Sequence, residues 1–331
     1  MLLNLARQRR VLFFGGKGGV GKTTMASAVA VMAAEQGRRV LLVSTDPAHS
    51  LGHLWGRRIG PFAVPLMAGL DGLEIDPAES LESHLEQVGR SLRKLMPHHL
   101  AGEVDKHLAR SRDAPGMHEA ALLERLAQTL IDGMQQYDLL VFDTAPSGHT
   151  ARLMALPEMM TAWTEGMLRQ RERSDKLGAA LRGAGGEQDM AARIIGKGDQ
   201  ILTPAQRDDT IRSVLNRRRE RFVVLRDVLA DTQRTGFVIV LAAERLPVLE
   251  TIEFEGQLRR AGVPVAGLVV NKRMPAQAGD FFAEKQQQEQ HYLAQLREAL
   301  PHLPVEEVVL QRLEVAGEDG IRALAGMLRA E

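Results

Sequence analysis

Gly16-Lys17-Gly18-Gly19-Val20-Gly21-Lys22-Thr23 is the stretch that sets the fold of this 331-residue chain. It satisfies G-x-x-x-x-G-K-[ST], the pattern of a loop whose backbone amides cradle phosphates, and it stands in the context that pattern needs. Before it lies Val11-Leu12-Phe13-Phe14, an apolar run of strand length. After it comes an Ala-rich helical segment from Thr23 to Gln36, closed by Gly37 at the position of a helix C′ cap. Glycines let the main chain wrap an anion, and the helix N-terminus adds the positive end of its dipole. Gly16, Lys17, Gly18, Gly19, Val20, Gly21, Lys22, Thr23 and Thr24 are therefore assigned to a nucleoside triphosphate. Lys22 is expected on its β- and γ-phosphates, and the Thr23 hydroxyl on Mg²⁺, a hard cation that takes oxygen ligands.

Beyond the helix, Val40-Leu41-Leu42-Val43 is a second strand of the same type, so residues 11–44 have the size and order of one βαβ unit. Leu139–Phe142, Phe237–Leu241 and Val265–Val270 repeat the pattern. Continuous apolar runs separated by long helices predict an α/β fold, a phosphate-loop parallel sheet covered by helices on both faces. Leu81, Leu85, Val88, Leu92 and Leu95 form one helical stripe, and Ile211, Val214, Leu215, Phe222, Leu225 and Val228 another. One domain over 1–331 is expected, with a helical subdomain contributed by insertions at about 78–133 and 151–235. The phosphate-loop pattern occurs once, which gives one nucleotide site.

Composition removes other classes. Lys plus Arg and Asp plus Glu number 42 each, so there is no global pull toward nucleic acid or anionic lipid. Arg217-Arg218-Arg219-Glu220-Arg221 reads as a solvated helix face, without the aromatic residues that stack on bases. Cys 0 excludes disulfides, thiolate metal sites and cysteine nucleophiles. No apolar stretch approaches the roughly 20 residues of a membrane span. MLLNLARQRR lacks the order of a secretion signal, and a cytoplasmic location is expected. Ile321, Leu324 and Leu328 form an amphipathic C-terminal pattern read as core docking, since its polar face lacks a cationic cluster.

Two constellations lie at predicted strand ends, where open α/β sheets gather ligands. In Ser44-Thr45-Asp46-Pro47-Ala48-His49-Ser50-Leu51, Asp46 either orients or deprotonates an attacking water or caps a turn before Pro47. In Asp143-Thr144-Ala145-Pro146-Ser147-Gly148-His149-Thr150, Asp143 is the carboxylate expected to hold Mg²⁺ through water. Thr23, Asp46 and Asp143 form the expected metal set, and Asp46, Lys17 and Lys22 the catalytic one. Both carboxylates tie the phosphates to movable segments, so slow hydrolysis that works as a switch is expected.

The GKGGVGKT form resembles the deviant phosphate loop of the dimeric ATPases that include partitioning proteins, the nitrogenase iron protein and the arsenite-pump ATPase. The resemblance implies that Lys17 crosses a dimer interface to the partner's nucleotide. With both switches, Ala114-Pro115-Gly116 before Glu119-Ala120, Arg152-Leu153, Glu244-Arg245-Leu246-Pro247 with Glu250-Thr251, Val269-Val270-Asn271 and Leu303-Pro304-Val305-Glu306-Glu307, nearly the whole chain resembles the family of arsenite-pump and tail-anchored-protein-targeting (GET-type) ATPases. That implies ATP and Mg²⁺ as cofactors, a homodimer, a hydrophobic client segment and a membrane receptor. By resemblance Asn271 contacts adenine, and residues 303–307 lie near the base; a strand-end turn and a surface loop are the plain alternatives.

The chain also departs from the family. Arsenite-pump members bind As(III) through cysteine, and eukaryotic targeting members share a Cys-x-x-Cys zinc site; neither is available here. His98, His99, His107 and His118 are read as scattered surface residues. Leu156, Met160, Trp163 and Met167, with Met154 and Met159, allow either a client groove or core packing. Gly185–Pro204 carries only Met190, so the Met-rich insertion of dedicated targeting members looks reduced. The reading is a targeting factor for hydrophobic clients, with an arsenite or anion efflux motor and a partitioning ATPase as its alternatives.

Overall fold

The computed structural model describes residues 1–95, 101–114, 116–145, 148, 150, 152–162, 164–166, 169, 204–275 and 280–330. In chain order its elements are α1 (Leu2–Gln8), β1 (Val11–Gly15), α2 (Lys22–Ala34), β2 (Val40–Ser44), α3 (Ser50–Trp55), β3 (Val64–Met67), β4 (Leu70–Glu74), α4 (Pro77–Leu95), α5 (Ala101–Arg112), α6 (Met117–Gln136), β5 (Leu139–Asp143), α7 (Pro204–Ala230), β6 (Thr235–Ala242), α8 (Arg245–Arg260), β7 (Val265–Arg273), α9 (Asp280–Ala299), β8 (Val305–Val309) and α10 (Gly317–Ala330). Residues 152–162 are helical as well, without a gap.

All five apolar runs lie in strands of one eight-stranded sheet, ordered β3-β4-β2-β5-β1-β6-β7-β8. Burial on both faces is why β1, β2 and β5 carry apolar residues at nearly every position. Successive side chains alternate between faces. Leu12 and Phe14 meet α1, α2 and α10 through Leu2, Met25, Val29 and Ile321. Val11 and Phe13 meet the opposite layer of α6, α7, α8 and α9 through Leu126, Phe222, Leu258 and Leu296. Phe13 stacks on Phe142 with ring centroids 4.8 Å apart, tying β1 to β5.

The strand order adds two details to the expected fold. β5 lies between β1 and β2, so the crossover through α2 skips a strand; the two pairs have Phe14 opposite Asp143 and Ser44 opposite Asp143. The sheet is also only mostly parallel, because β3 runs antiparallel to β4 at one edge. The residues of β3, β4 and β8 do not read as buried strands: Pro65, Asp71 with Gly72, and Glu306 with Glu307 interrupt their apolar runs.

Helix α4 packs on both α5 and α6, over a small apolar cluster of Leu81, Leu85 and Ala121. Above it, Glu124 of α6 accepts from His84 Nδ1 of α4 at 2.9 Å and from Arg218 Nη2 of α7 at 3.0 Å, with Arg221 at 3.5 Å. Phe222, Leu225 and Val228 of α7 are buried, whereas Ile211, Val214 and Leu215 are only partly covered. Ile321, Leu324 and Leu328 of α10 are buried in the core with α2, as their spacing implied. Leu153 and Met154 are core residues, Leu156 and Met160 are partly buried against them, and Met159 is exposed. Trp163, Met167, Met190, His98, His99, Pro115, Pro146, Ser147, His149 and the glycine break at 183–186 lie outside the described residues.

Candidate nucleotide site

The loop between β1 and α2 passes so close to β6 that only glycine fits at its entrance. A Cβ on Gly16, whose φ is +142°, would stand 2.1 Å from the Val240 carbonyl oxygen. At its exit Gly21, with φ +95°, caps α2 and abuts the Asn271 amide, which a Cβ would meet at 2.4 Å. Both positions need the left-handed region that glycine enters freely. The loop thus delivers α2's first amides to a cleft of about 690 Å³, a volume within the usual range for small-ligand sites.

Lys22 begins α2 and is buried, with its Nζ donating to the Lys17 carbonyl at 3.0 Å. Burial pulls its ammonium below the ordinary lysine range, against the attraction of Asp143 and then Asp46. Thr23 Oγ1 donates to Asp143 Oδ2 at 2.6 Å and lies 3.1 Å from Ser50 Oγ. Ser44 Oγ donates to the same carboxylate oxygen at 3.3 Å. Asp143 itself is fully buried, and its other oxygen, Oδ1, has no hydrogen-bond partner among the described residues. Burial pushes its carboxyl up to about 7, against the Thr23 hydrogen bond and Lys22.

A buried carboxylate oxygen without a donor is costly unless something outside the described residues satisfies it. With the Thr23 hydroxyl beside it, this oxygen set fits a hard divalent cation carrying waters and phosphate oxygens, while the Lys22 ammonium fits the phosphates themselves.

Asp46 lies at the cleft wall, half-buried, where its main-chain N–H donates to Ser44 Oγ at 3.3 Å and its Oδ1 accepts from the Ala48 N–H at 3.1 Å. The carboxylate caps the turn and also lines the cleft. Gly18, Gly19, Thr24 and Asn271 line the same cleft. Asn271 is buried at the end of β7 and donates to the Val20 carbonyl at 2.8 Å. Lys17 is not brought into the cleft; its Nζ forms a half-exposed ion pair with Glu250 Oε1 of α8 at 2.8 Å.

Some participants were not legible in the sequence. Residues 310–316, after β8, form one wall of the cleft, whereas 303–307 only lead into and form the first half of that strand. Lys272 was missed too, although it follows Asn271 directly. Ser44 and Ser50 sat within a recognised motif, but their proximity to Thr23 and Asp143 depends on strand order.

A family model described as anion-transporting ATPase matches residues 9–330. The chain belongs to the anion-transporting ATPase family. It is therefore an ATPase, and the family implies nucleotide binding. It is 31% identical over 324 residues to the arsenical pump-driving ATPase of Escherichia coli, a match covering 96% of this chain and 48% of that protein. ATPase GET3B of Arabidopsis thaliana is 30% identical over 97% of this chain and 79% of its own length. ATPase ASNA1 homolog 1 of Paramecium tetraurelia is 28% identical, over 96% and 91%. The chain thus spans about half of the bacterial pump protein and most of the other two. No helix among the described residues is long and apolar enough to cross a membrane, and none of their His, Asp and Glu side chains cluster as a metal-binding group of three.

Proposed function

We propose that this ATPase is a Mg²⁺-dependent, nucleotide-switched homodimer that handles hydrophobic, tail-anchored-like membrane protein segments in the cytoplasm. The observation that carries the switch is the meeting of Thr23, Ser44 and Asp143 on one buried carboxylate, because it joins the phosphate loop to both strand ends that precede the switch segments. Thr23 would hold Mg²⁺ directly, with Asp143 and Asp46 reaching it through water; the ion would supply charge neutralisation on the phosphates. Lys22 leaves the Lys17 carbonyl to meet the β- and γ-phosphates. Asp46 orients the attacking water and accepts its proton, which is geometrically reasonable for a half-buried carboxylate at the cleft wall. Lys17 leaves Glu250 and reaches the nucleotide of the partner, where a cation supplied in trans is worth about 10³–10⁵ in rate if it acts as an arginine finger does. Asn271 would contact adenine, as the family resemblance implies.

The client assignment rests on chemistry. A chain with Cys 0 cannot bind As(III) through thiolates, which disfavours an arsenite-efflux motor, and the inserted helices disfavour a partitioning ATPase. The test is capture of bound proteins by Asp46→Asn held in ATP. Enrichment of proteins with single terminal apolar segments supports the reading, and arsenite-stimulated turnover overturns it.

A further inference from the structure

The end of β7 departs from strand geometry at the point where it meets the phosphate loop. In a regular strand Asn271 and Lys272 would point to opposite faces. Instead Lys272 has φ +60°, one of two non-glycine residues with positive φ among those described, and the β7–β8 register slips between Val270 and Arg273. Such an irregularity re-aims a side chain. Here it sends two consecutive side chains to the same loop: Asn271 Nδ2 donates to the Val20 carbonyl at 2.8 Å, and Lys272 Nζ donates to the Gly19 carbonyl at 2.8 Å.

The two acceptors belong to successive peptides. Each peptide is planar, with its C=O and its N–H pointing in opposite directions. Drawing the Gly19 and Val20 carbonyls toward β7 therefore turns the Val20 and Gly21 N–H groups away from it. The next residue, Arg273, anchors the strand end from behind. Its guanidinium is buried between Glu289 and Glu307, and its carbonyl accepts from the Leu310 N–H at 2.8 Å, at the start of the cleft wall formed by 310–316.

We propose that Lys272 is a positioning residue for ATP binding: with Asn271 it fixes the outer carbonyls of the phosphate loop, so that the amides of Val20 and Gly21 are oriented before nucleotide arrives. A strained backbone at an exposed lysine is otherwise unexplained, since a residue with positive φ costs on the order of 1 kcal/mol or more. A lone exposed amine–carbonyl bond adds little stability in return. The proposal rests on the cleft being an ATP site.

The test compares Lys272→Met, Lys272→Arg and Lys272→Gly in the full chain. Lys272→Met should raise KM for ATP about tenfold, the effect of one lost oriented hydrogen bond, with kcat much less affected. Lys272→Arg, which keeps a donor, should restore most of it. Lys272→Gly relieves the positive φ, so its thermal midpoint should match or exceed that of the unaltered chain while KM rises as in Lys272→Met. Amide hydrogen exchange at 18–21 in the nucleotide-free chain should quicken in the Met and Gly variants. Unchanged KM together with unchanged exchange overturns the proposal. Failure of the unaltered chain to bind ATP overturns the nucleotide reading instead, and the exchange measurement still decides whether Lys272 orders the loop.

Discussion

Thr23 Oγ1 and Asp143 Oδ2 are 2.6 Å apart, a hydrogen bond that joins the first turn of α2 to the last residue of β5. This hydroxyl is committed to the carboxylate that leaves its second oxygen without a partner, so the two residues form one unit.

Replacing Asp143 by Asn removes a charge whose burial raises its pKa to about 7. The nucleotide-free variant should be at least as stable as the unaltered chain at pH 8, since a neutral amide needs no desolvated charge. Mg²⁺-dependent hydrolysis should fall by about 10² or more. Denaturant unfolding at pH 8 and phosphate release check the two parts, and a variant that unfolds more readily while hydrolysing normally contradicts both.

Asp46→Asn keeps the turn geometry and loses the base. ATP binding should stay within a few-fold while turnover drops by about 10²–10⁴, the usual range for a general base. Titration calorimetry beside single-turnover hydrolysis separates these; an equal loss in both would make Asp46 purely structural.

Lys17→Ala and Lys22→Ala should each be inactive. Mixed together, they should regain activity at the one site per dimer that has its own Lys22 and the partner's Lys17. Activity that stays absent in the mixture, with heterodimers demonstrated, would place Lys17 in cis.

Glu124 should govern acid stability in the helical layer. Burial pushes its carboxyl up, but His84 and Arg218 outweigh it and hold the group at about 2, below the ordinary 4.5. A depressed folded-state pKa gives stability that is present above pH 4.5 and lost as pH falls toward 2, a loss of about 3 kcal/mol for this shift. Glu124→Gln should flatten that part of the profile and destabilise the chain at neutral pH, because Arg218 and Arg221 lose their counter-charge. Urea midpoints between pH 2.5 and 7 provide the measurement.

The parts of this molecule legible in the sequence are those encoded locally. Val11–Phe14 and Val40–Val43 announce buried strands because both of their faces are covered, and Gly16 to Thr23 announce their chemistry because the loop needs those residue types in that order. Asp46 and Asp143 stand out in the sequence for the same reason, each in a local motif that follows an apolar run. Strand order was not legible: nothing near Val11 or Val40 says that Leu139–Asp143 lies between them. β8 was hidden because Glu306 and Glu307 interrupt its apolar pattern. The Lys17–Glu250 pair spans 233 positions, and the role of Lys272 depends on a backbone angle that no residue type at that position announces.

The sheet itself works as a fixed ruler. Phe14 and Ser44 are both in register with Asp143, so the loop's root, the Asp143 carboxylate and the strand leading to Asp46 hang from three neighbouring strands about 4.8 Å apart. These roots cannot separate without breaking main-chain hydrogen bonds in the most deeply buried part of the protein. On the proposed reading, loss of a γ-phosphate would be expressed downstream of the strand ends, in the polypeptide that follows Ser44 and Asp143, while the rulings between them stay constant.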